Sequence, residues 1–380
     1  MSFLNNKTIL IISPQSWGKM FVSKHHYSIE LAKRGNRVYF LNPPEEKKKN
    51  TPQILIVPIE EQENLFLIYH SLYFPYNIKF HFISLFHLLM KFHVKNILKK
   101  IDRKIDIIWS FDLGNLYPFS IFSKKSLKIF HPVDEPLNKT AIDSAKGAEV
   151  IFSVTKEILE KYNIYKVPGY FINHGVGNDF IETEIVQGDG KTRVGFSGNL
   201  LRNDIDRSIF LQIIKENPDV IIECWGNYNS VEGNLGGDED VETLNFIHQL
   251  KRSPNVILHG VVPVSILAKQ LQRMDAFLIC YDVQKDQSKG TNYHKVMEYI
   301  STGKVIISNN ISTYKNEPQL VLMVEERGHN NNLPVLFKKV IQSLDINNAV
   351  SLQTYRKKYA QENTYKAQLE RIDKLFLSGA

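Results

Sequence analysis

Cysteine is scarce in this chain of 380 residues: there are two, Cys224 and Cys280. Each falls in a strand-like apolar run, so both read as small buried hydrophobes in a reducing compartment. Neither has metal-site spacing, and two cysteines exclude a disulfide-built scaffold. No apolar run of about 18 residues is free of charge, which removes a membrane-spanning helix. The start of the chain lacks a basic segment followed by an apolar one, so no secretory signal is expected. Gly18 and Lys19 follow the first predicted strand, but neither G-x-G-x-x-G nor G-x-x-x-x-G-K-S/T is present. A dinucleotide or ATP P-loop is therefore a poor reading of that loop. There is no internal repeat and no low-complexity tract. Acidic residues are missing from one long stretch: residues 64–101 contain no Asp or Glu, while Lys79, Lys91, Lys95, Lys99 and Lys100 all occur there.

What is present is an ordinary globular composition, 43% hydrophobic and 23% charged, in a chain long enough for two domains. The net charge of +7 favours an acidic partner: a nucleotide, an anionic membrane surface or nucleic acid. No recognisable RNA or DNA module accompanies it, so nucleic acid is not expected as a partner.

Strand and helix patterns alternate from the start. Residues 7–13 read as a strand, 23–34 as a helix stopped by Gly35, and 37–41 as the next strand, a βαβ opening that implies a parallel sheet covered on both faces. Further strands are expected near 53–57, 65–69, 105–110, 127–130, 150–153 and 169–172. Residues 182–192, with Gly188-Asp189-Gly190, read as a linker. The alternation then restarts, with strands at 193–197, 220–225, 255–259, 276–280, 305–308 and 320–324. The predicted organisation is thus α/β, with two doubly wound Rossmann-like domains facing across a cleft at the carboxyl ends of their strands. The first spans 1–181, the linker 182–192, and the second 193–349. A charged helical segment, 350–380, is expected to pack back on the first domain.

The most informative segment begins at Thr291-Asn292-Tyr293-His294-Lys295-Val296-Met297-Glu298-Tyr299-Ile300. It predicts a polar loop, a short helix ended by Gly303, and a buried strand at 305–308. A helix start offers unpaired N–H groups and the positive end of a dipole, which suits phosphate. Lys295 and Glu298 lie three apart on one side. The amine can neutralise a diphosphate, and the carboxylate can accept bonds from ribose hydroxyls. From spacing alone, an exposed ion pair is the competing reading.

The pattern Lys-x-x-Glu-Tyr-x-x-x-Gly-Lys-x-Ile-Ile resembles the C-terminal-domain signature of GT-B glycosyltransferases. It is most similar to the large retaining family of cell-envelope, teichuronic-acid and capsule-type nucleotide-sugar glycosyltransferases. The helix-and-turn segment 23–40 and the turn Asn173-His174-Gly175-Val176 also resemble that family. The resemblance implies a donor site in the second domain, with Lys295 on the diphosphate, Glu298 on the ribose, and Thr291 and Asn292 in the loop before them. In Gly195-Phe196-Ser197-Gly198-Asn199-Leu200-Leu201-Arg202, Gly198 would admit a phosphate close to the backbone and Arg202 would clamp it. The family's usual Gly-Arg and later Lys-Gly are missing there. Residues 256–263, with His259, resemble the segment that contacts the base. Gly18 lies in a loop implied to sit near the donor phosphates and the acceptor.

The same family carries a second glutamate, which here would fall at Gly290. Its absence leaves three readings: the backbone amides of 290–292 replace it, sugar choice is altered, or the site is divergent. Asp204 with Asp206, and Asp238 with Asp240, form Asp-x-Asp pairs, read as helix caps rather than metal ligands, so no metal is assigned.

In the first domain, Ile129-Phe130-His131-Pro132-Val133-Asp134-Glu135 puts polar groups at a strand end. His131 and Asp134 are the candidate catalytic or acceptor-binding residues, with Asp112 a weaker one. The alternative for each is a structural role. Residues 75–104, basic and rich in Phe and Leu, suit either an anionic membrane surface or a domain core with solvated lysines.

The expected activity is metal-independent transfer of a sugar from a nucleotide-diphosphate donor to a hydroxyl of a glycan or lipid-linked glycan, with retention implied by the resemblance. No cofactor is expected; the nucleotide sugar is a co-substrate. The expected setting is the cytoplasm or the inner membrane face, in cell-surface polysaccharide synthesis. The rival readings are a nucleotide-sugar epimerase or hydrolase on the same scaffold, and a non-catalytic nucleotide-binding scaffold protein.

Overall fold

The computed structural model describes residues 2–18, 21–46, 53–183, 190–229, 240–286 and 288–378. Lys19, Gly188, Asp189 and Asp238, each singled out by sequence, lie outside the described residues. The chain divides into two compact units: Met1–Asn173 with Tyr365–Ala380, and His174–Thr364.

The first unit contains β1 (Thr8–Ile12), β2 (Arg37–Leu41), β3 (Ile54–Ile59), β4 (Gln62–His70), β5 (Ile107–Ser110), β6 (Leu127–Phe130), β7 (Val150–Ser153) and β8 (Gly169–Phe171). They form one sheet in the order β3-β4-β2-β1-β5-β6-β7-β8. All neighbours are parallel except β3 and β4, which form an antiparallel pair at the edge. In β1, Ile9 and Ile11 enter one apolar cluster and Leu10 and Ile12 another, so both faces of the strand are buried. That is why these strands read as continuous apolar runs instead of alternating ones.

The second unit contains β9 (Arg193–Ser197), β10 (Ile221–Trp225), β11 (Val256–Gly260), β12 (Ala276–Ile279), β13 (Val305–Ser308) and β14 (Leu322–Met323). Every neighbouring pair in the order β11-β10-β9-β12-β13-β14 is parallel. The chain winds outward from β9 through β10 to β11, then returns to β12 on the other side of β9. The order therefore reverses between β9 and β12, where open α/β sheets form a crevice at the carboxyl ends of their strands. In the first unit the same reversal falls between β1 and β5.

The long C-terminal helix expected from sequence is two helices, Val350–Glu362 and Tyr365–Leu377. The break coincides with the division between units. The carbonyl of Asn363 accepts the amide of Val176 at 3.0 Å. Tyr365–Leu377 packs on the helix Ser23–Lys33 of the first unit: His26 and Tyr365 stack with ring centres 4.6 Å apart. Asp373 accepts the amide of Leu4 at 2.8 Å. The helix Val350–Glu362 belongs instead to the second unit. There Arg356, almost fully buried, donates to the carbonyls of Gln319 at 2.8 Å, Gly303 at 3.0 Å and Asn347 at 2.9 Å. The expected boundary at 349 and the assignment of all of 350–380 to the first domain differ from this division. Three inward-facing carbonyls recruit Arg356, and residue spacing does not reveal them.

Arg356 caps the C-terminal end of the Lys295–Thr302 helix through the Gly303 carbonyl, where a cation also suits the helix dipole. Replacing Arg356 with Leu is expected to leave buried carbonyls unpaired and to cost about 3 kcal/mol. A urea midpoint unchanged from wild type would contradict this.

Candidate functional site

Lys295 opens the helix Lys295–Thr302 and points under the end of β9. Its ammonium donates to the Ser197 carbonyl at 2.5 Å and to the Tyr281 hydroxyl. Ser197 ends β9 and Tyr281 follows β12, so the amine sits at the reversal of strand order. Burial, and then the nearby Arg202 guanidinium, push the Lys295 amine down to about 8. The rings of Phe196 and Tyr281 lie 5.2 and 4.8 Å from it, and their faces favour the cation.

One turn on, the Tyr299 hydroxyl accepts the Ser197 amide at 2.6 Å, and its ring stacks on Phe277 at 4.2 Å. Lys295 and Tyr299, four residues apart on one helix face, thus both grip the end of β9. Glu298 stands beside them, half-buried, with the His294 imidazole 4.0 Å away. Burial pushes its carboxyl up to about 7, against the pull of Lys295. Sequence reasoning missed Tyr299 as a site residue, although it stands inside the motif, and missed Tyr281 altogether.

Gly198 explains the room beside the amine. Its φ is +157°, and a Cβ there would lie 2.6 Å from the Lys295 Nζ. Gly226, at φ +125°, packs so closely that a Cβ would overlap the Gly198 carbonyl. Gly226 is required for backbone approach as well as for conformation, while at Gly198 a side chain would meet the Lys295 and Tyr281 side chains.

The other expected donor residues are placed differently. Arg202 is not a free clamp: its guanidinium donates to Asp204 through Nε at 2.8 Å and also through Nη2. Asp286 lies 3.9 Å away. Thr291 and Asn292 are buried; the Thr291 hydroxyl donates to the Ser288 carbonyl at 2.7 Å and its amide to the same oxygen at 3.0 Å. The Gly290 amide is given to Asp286 at 3.0 Å, so the idea that amides of 290–292 replace a missing carboxylate loses two of its donors. His259 stacks on Trp225 at 4.8 Å and lies 2.6 Å from Glu223, which also pairs with Arg193. It is held beside the carboxyl end of β10, with part of its ring exposed. Asp206 and Asp240 are helix caps, accepting the amides of Ile209 at 3.3 Å and Thr243 at 2.7 Å.

In the first unit the two catalytic candidates separate. His131 is 0% exposed, enclosed by Tyr27, Trp109, Phe111 and Phe152. Burial pushes its imidazole down to about 3, so it is neutral, and its Nε2 has no hydrogen-bond partner. An aromatic core has closed over it, and it cannot touch an acceptor as expected. Asp134 is exposed and lines a cavity of about 730 Å³ at the carboxyl ends of β1, β2, β5 and β6. Asp112, rated lower by sequence, lines the same cavity. Gly18 is half-buried in the loop after β1 and is not among the cavity's lining residues.

Residues 75–104 form the helices Ile78–His81 and Ile83–Ile101. Phe86, Met90, Val94, Ile97 and Ile101 fill the core of the unit. A second apolar set remains in solvent, with Phe80 70% and Phe82 67% exposed, followed by Ile83, Leu85, Leu88 and Phe92. The core and surface readings of this segment thus both apply, to different faces. Among the described residues no helix is long and apolar enough to cross a membrane.

No protein-family model matches the sequence, and no curated protein matches it. Solved structures do match. Sucrose-phosphate synthase from Thermosynechococcus elongatus superposes with a TM-score of 0.72 at 11% identity, covering 98% of each chain. Anabaena HepE in complex with UDP and glucose gives a TM-score of 0.67 at 11% identity over 98% of this chain and all of its own. The fold is GT-B. A third GT-B neighbour is the lipopolysaccharide outer core galactosyltransferase WaaB, with a TM-score of 0.63 at 13% identity over 98% of this chain and 100% of that one. In this GT-B chain, the Lys295 motif falls at the strand-order reversal of the second unit.

The ionisation of Lys295 and Glu298 sets a testable sign. Lys295 loses its positive charge above about 8, and Glu298 gains a negative one above about 7, so both changes weaken anion binding as pH rises. Wild-type protein is expected to bind pyrophosphate roughly tenfold more tightly than Lys295→Met at pH 6.5, with the advantage shrinking towards pH 9. Calorimetry showing a pH-independent difference would remove Lys295 from the anion site.

Proposed function

We propose that the protein is a glycosyltransferase that moves a sugar from a nucleotide-diphosphate donor to a hydroxyl of a glycan or lipid-linked glycan, in cell-surface polysaccharide synthesis. The observation that carries this reading is that the Lys295 ammonium, although carboxylates stand near it, is hydrogen-bonded to neutral oxygens. Its two hydrogen-bond partners, the Ser197 carbonyl and the Tyr281 hydroxyl, are both neutral, whereas Arg202 is matched by Asp204. A buried cation without a bonded counter-ion at a sheet's ligand crevice favours an anion. The leaving group of sugar transfer is one whose negative charge grows at the transition state.

In this reading Lys295 stabilises the departing diphosphate and Glu298 accepts bonds from the ribose hydroxyls. Arg202 holds the loop through Asp204 and Asp286 instead of clamping phosphate. The first unit binds the acceptor in the cavity lined by Asp134 and Asp112. The charge stabilisation assigned to Lys295 requires no metal, and retention of anomeric configuration is inferred from the motif resemblance. Because HepE was solved with UDP and glucose, UDP-glucose is the first donor to test. The exposed phenylalanines and the lysines of 75–104 support peripheral contact with an anionic bilayer at the cytoplasmic face.

The test is product analysis with a panel of UDP- and GDP-sugars and alkyl glycoside acceptors. Transfer is expected, with Glu298→Gln lowering kcat/KM about a hundredfold and raising the KM for the donor. Free nucleotide with an altered sugar and no acceptor product would favour the epimerase or hydrolase. Unchanged function in cells carrying the Glu298 variant would favour the scaffold reading. For the membrane, flotation should recover the protein with phosphatidylglycerol vesicles and not with phosphatidylcholine vesicles. The double change Phe80→Ser and Phe82→Ser should reduce recovery about tenfold; equal recovery with both lipids and both proteins would refute the contact.

A further inference from the structure

The walls of the first unit's cavity are unbalanced in charge. Among the described residues, Glu45, Glu46, Asp112 and Asp134 line it, against one lysine, Lys79. Its volume of about 730 Å³ is that of a small-molecule site. Apolar walls, including Tyr76 and Phe111, complete the lining.

Asp112 is the fixed point. It is 4% exposed, and its two carboxylate oxygens accept the amides of Gly114 at 2.7 Å and Leu116 at 2.8 Å. The turn after β5 therefore sets the direction of the carboxylate. Behind the wall, Lys24 is 2% exposed, and its ammonium is close enough to Asp134 and Asp112 for both to draw it towards the charged form. Lys24 does not line the cavity, so a ligand meets the carboxylates and not this cation.

An ionised carboxylate is an acceptor only. Burial pushes the Asp112 carboxyl up, against the pull of the Leu116 and Gly114 amides; a wall with four carboxyl groups selects a ligand rich in O–H or N–H donors and opposes one bearing phosphate or carboxylate. Aromatic faces beside such acceptors suit the C–H faces of a pyranose ring. We infer that the acceptor site takes an uncharged or amino sugar and excludes uronic acids and sugar phosphates, with Asp112 and Asp134 as the specificity-determining residues. This rests on the glycosyltransferase reading for the word acceptor, but the binding itself is measurable without any donor.

The experiment is saturation-transfer NMR and calorimetry on the full chain. The probes are methyl β-glucoside, methyl β-glucosaminide, methyl β-glucuronide and glucose 6-phosphate, each with and without saturating UDP. The neutral and amino glycosides are expected to bind at least tenfold more tightly than the two anions. Asp134→Asn, an exposed change that spares the fold, should weaken the neutral glycosides about tenfold and narrow the gap to the anions. Asp112→Asn should do the same, with its folding checked by thermal melting.

Tighter binding of the glucuronide or the phosphate would overturn the inference. So would neutral-glycoside binding that survives both aspartate changes but is lost with Lys295→Met, since the sugar would then lie in the second unit. Failure of sugar transfer with intact, Asp134-dependent glycoside binding would count against the proposed activity and leave this site standing.

Discussion

A buried ammonium held by two neutral oxygens is the constraint around which the second unit is arranged. Taking an amine out of water is costly, and the Ser197 carbonyl and Tyr281 hydroxyl return only part of that cost. The surroundings are built to tolerate it. Phe196 and Tyr281 present ring faces. Gly198 keeps its side of the amine open because any Cβ would occupy the same space. Tyr299 ties the same helix to the Ser197 amide, and Arg356 secures the helix's far end through Gly303. A residue buried at such expense for packing alone would be replaced by an apolar one at no loss of stability. The arrangement makes sense if the charge is used by something that arrives later.

The position where the related motif carries a second glutamate shows that a missing residue need not be a simple deletion of function. Gly290 has φ +64°, and a Cβ at that site would come within 2.8 Å of the Asn310 carbonyl. No glutamate fits there with this backbone. The loop is instead organised by Asp286, which takes the amides of Ser288 and Gly290 and the Tyr293 hydroxyl and faces Arg202. The loop's carboxylate stands four residues before Gly290, at Asp286, where it is buried and shapes the loop. Of the three readings open from sequence, replacement by the amides of 290–292 is the one that the hydrogen bonds disfavour.

What was legible in the sequence was periodic or local. Apolar runs such as Ile9–Ile12 announce strands covered on both faces, and the spacing of Lys295, Glu298 and Tyr299 puts them along one short helix. What was not legible depended on partners distant in sequence. The break at Asn363 follows from the Val176 amide, nearly two hundred residues earlier, and the placement of Val350–Glu362 follows from three carbonyls that meet Arg356. His131 looked like a site residue because it ends a strand beside polar neighbours. Its burial comes from aromatic rings on three other elements, Tyr27, Trp109 and Phe152. Arg202 looked free because Asp204, two residues on, was read with Asp206 as an acidic pair; in the structure each takes a different partner.

The net charge of +7 pointed towards acidic partners in general, and the structure shows why a sum of that kind is too coarse. Much of the excess lies on one helix, where Lys91, Lys95, Lys99 and Lys100 stand near exposed apolar side chains. In the second unit's crevice, Lys295 is a cation whose bonded partners, the Ser197 carbonyl and the Tyr281 hydroxyl, carry no charge. Among the described residues, the first unit's cavity has the opposite sign, four carboxyl groups to one lysine, within the same basic protein. Each surface is therefore tuned to its own ligand class by local pairing: which charges are matched by a bonded neighbour, and which are left for a ligand to meet. Counting matched against unmatched groups gives three distinct expectations, a bilayer, a diphosphate and an uncharged sugar, where total charge gave only one.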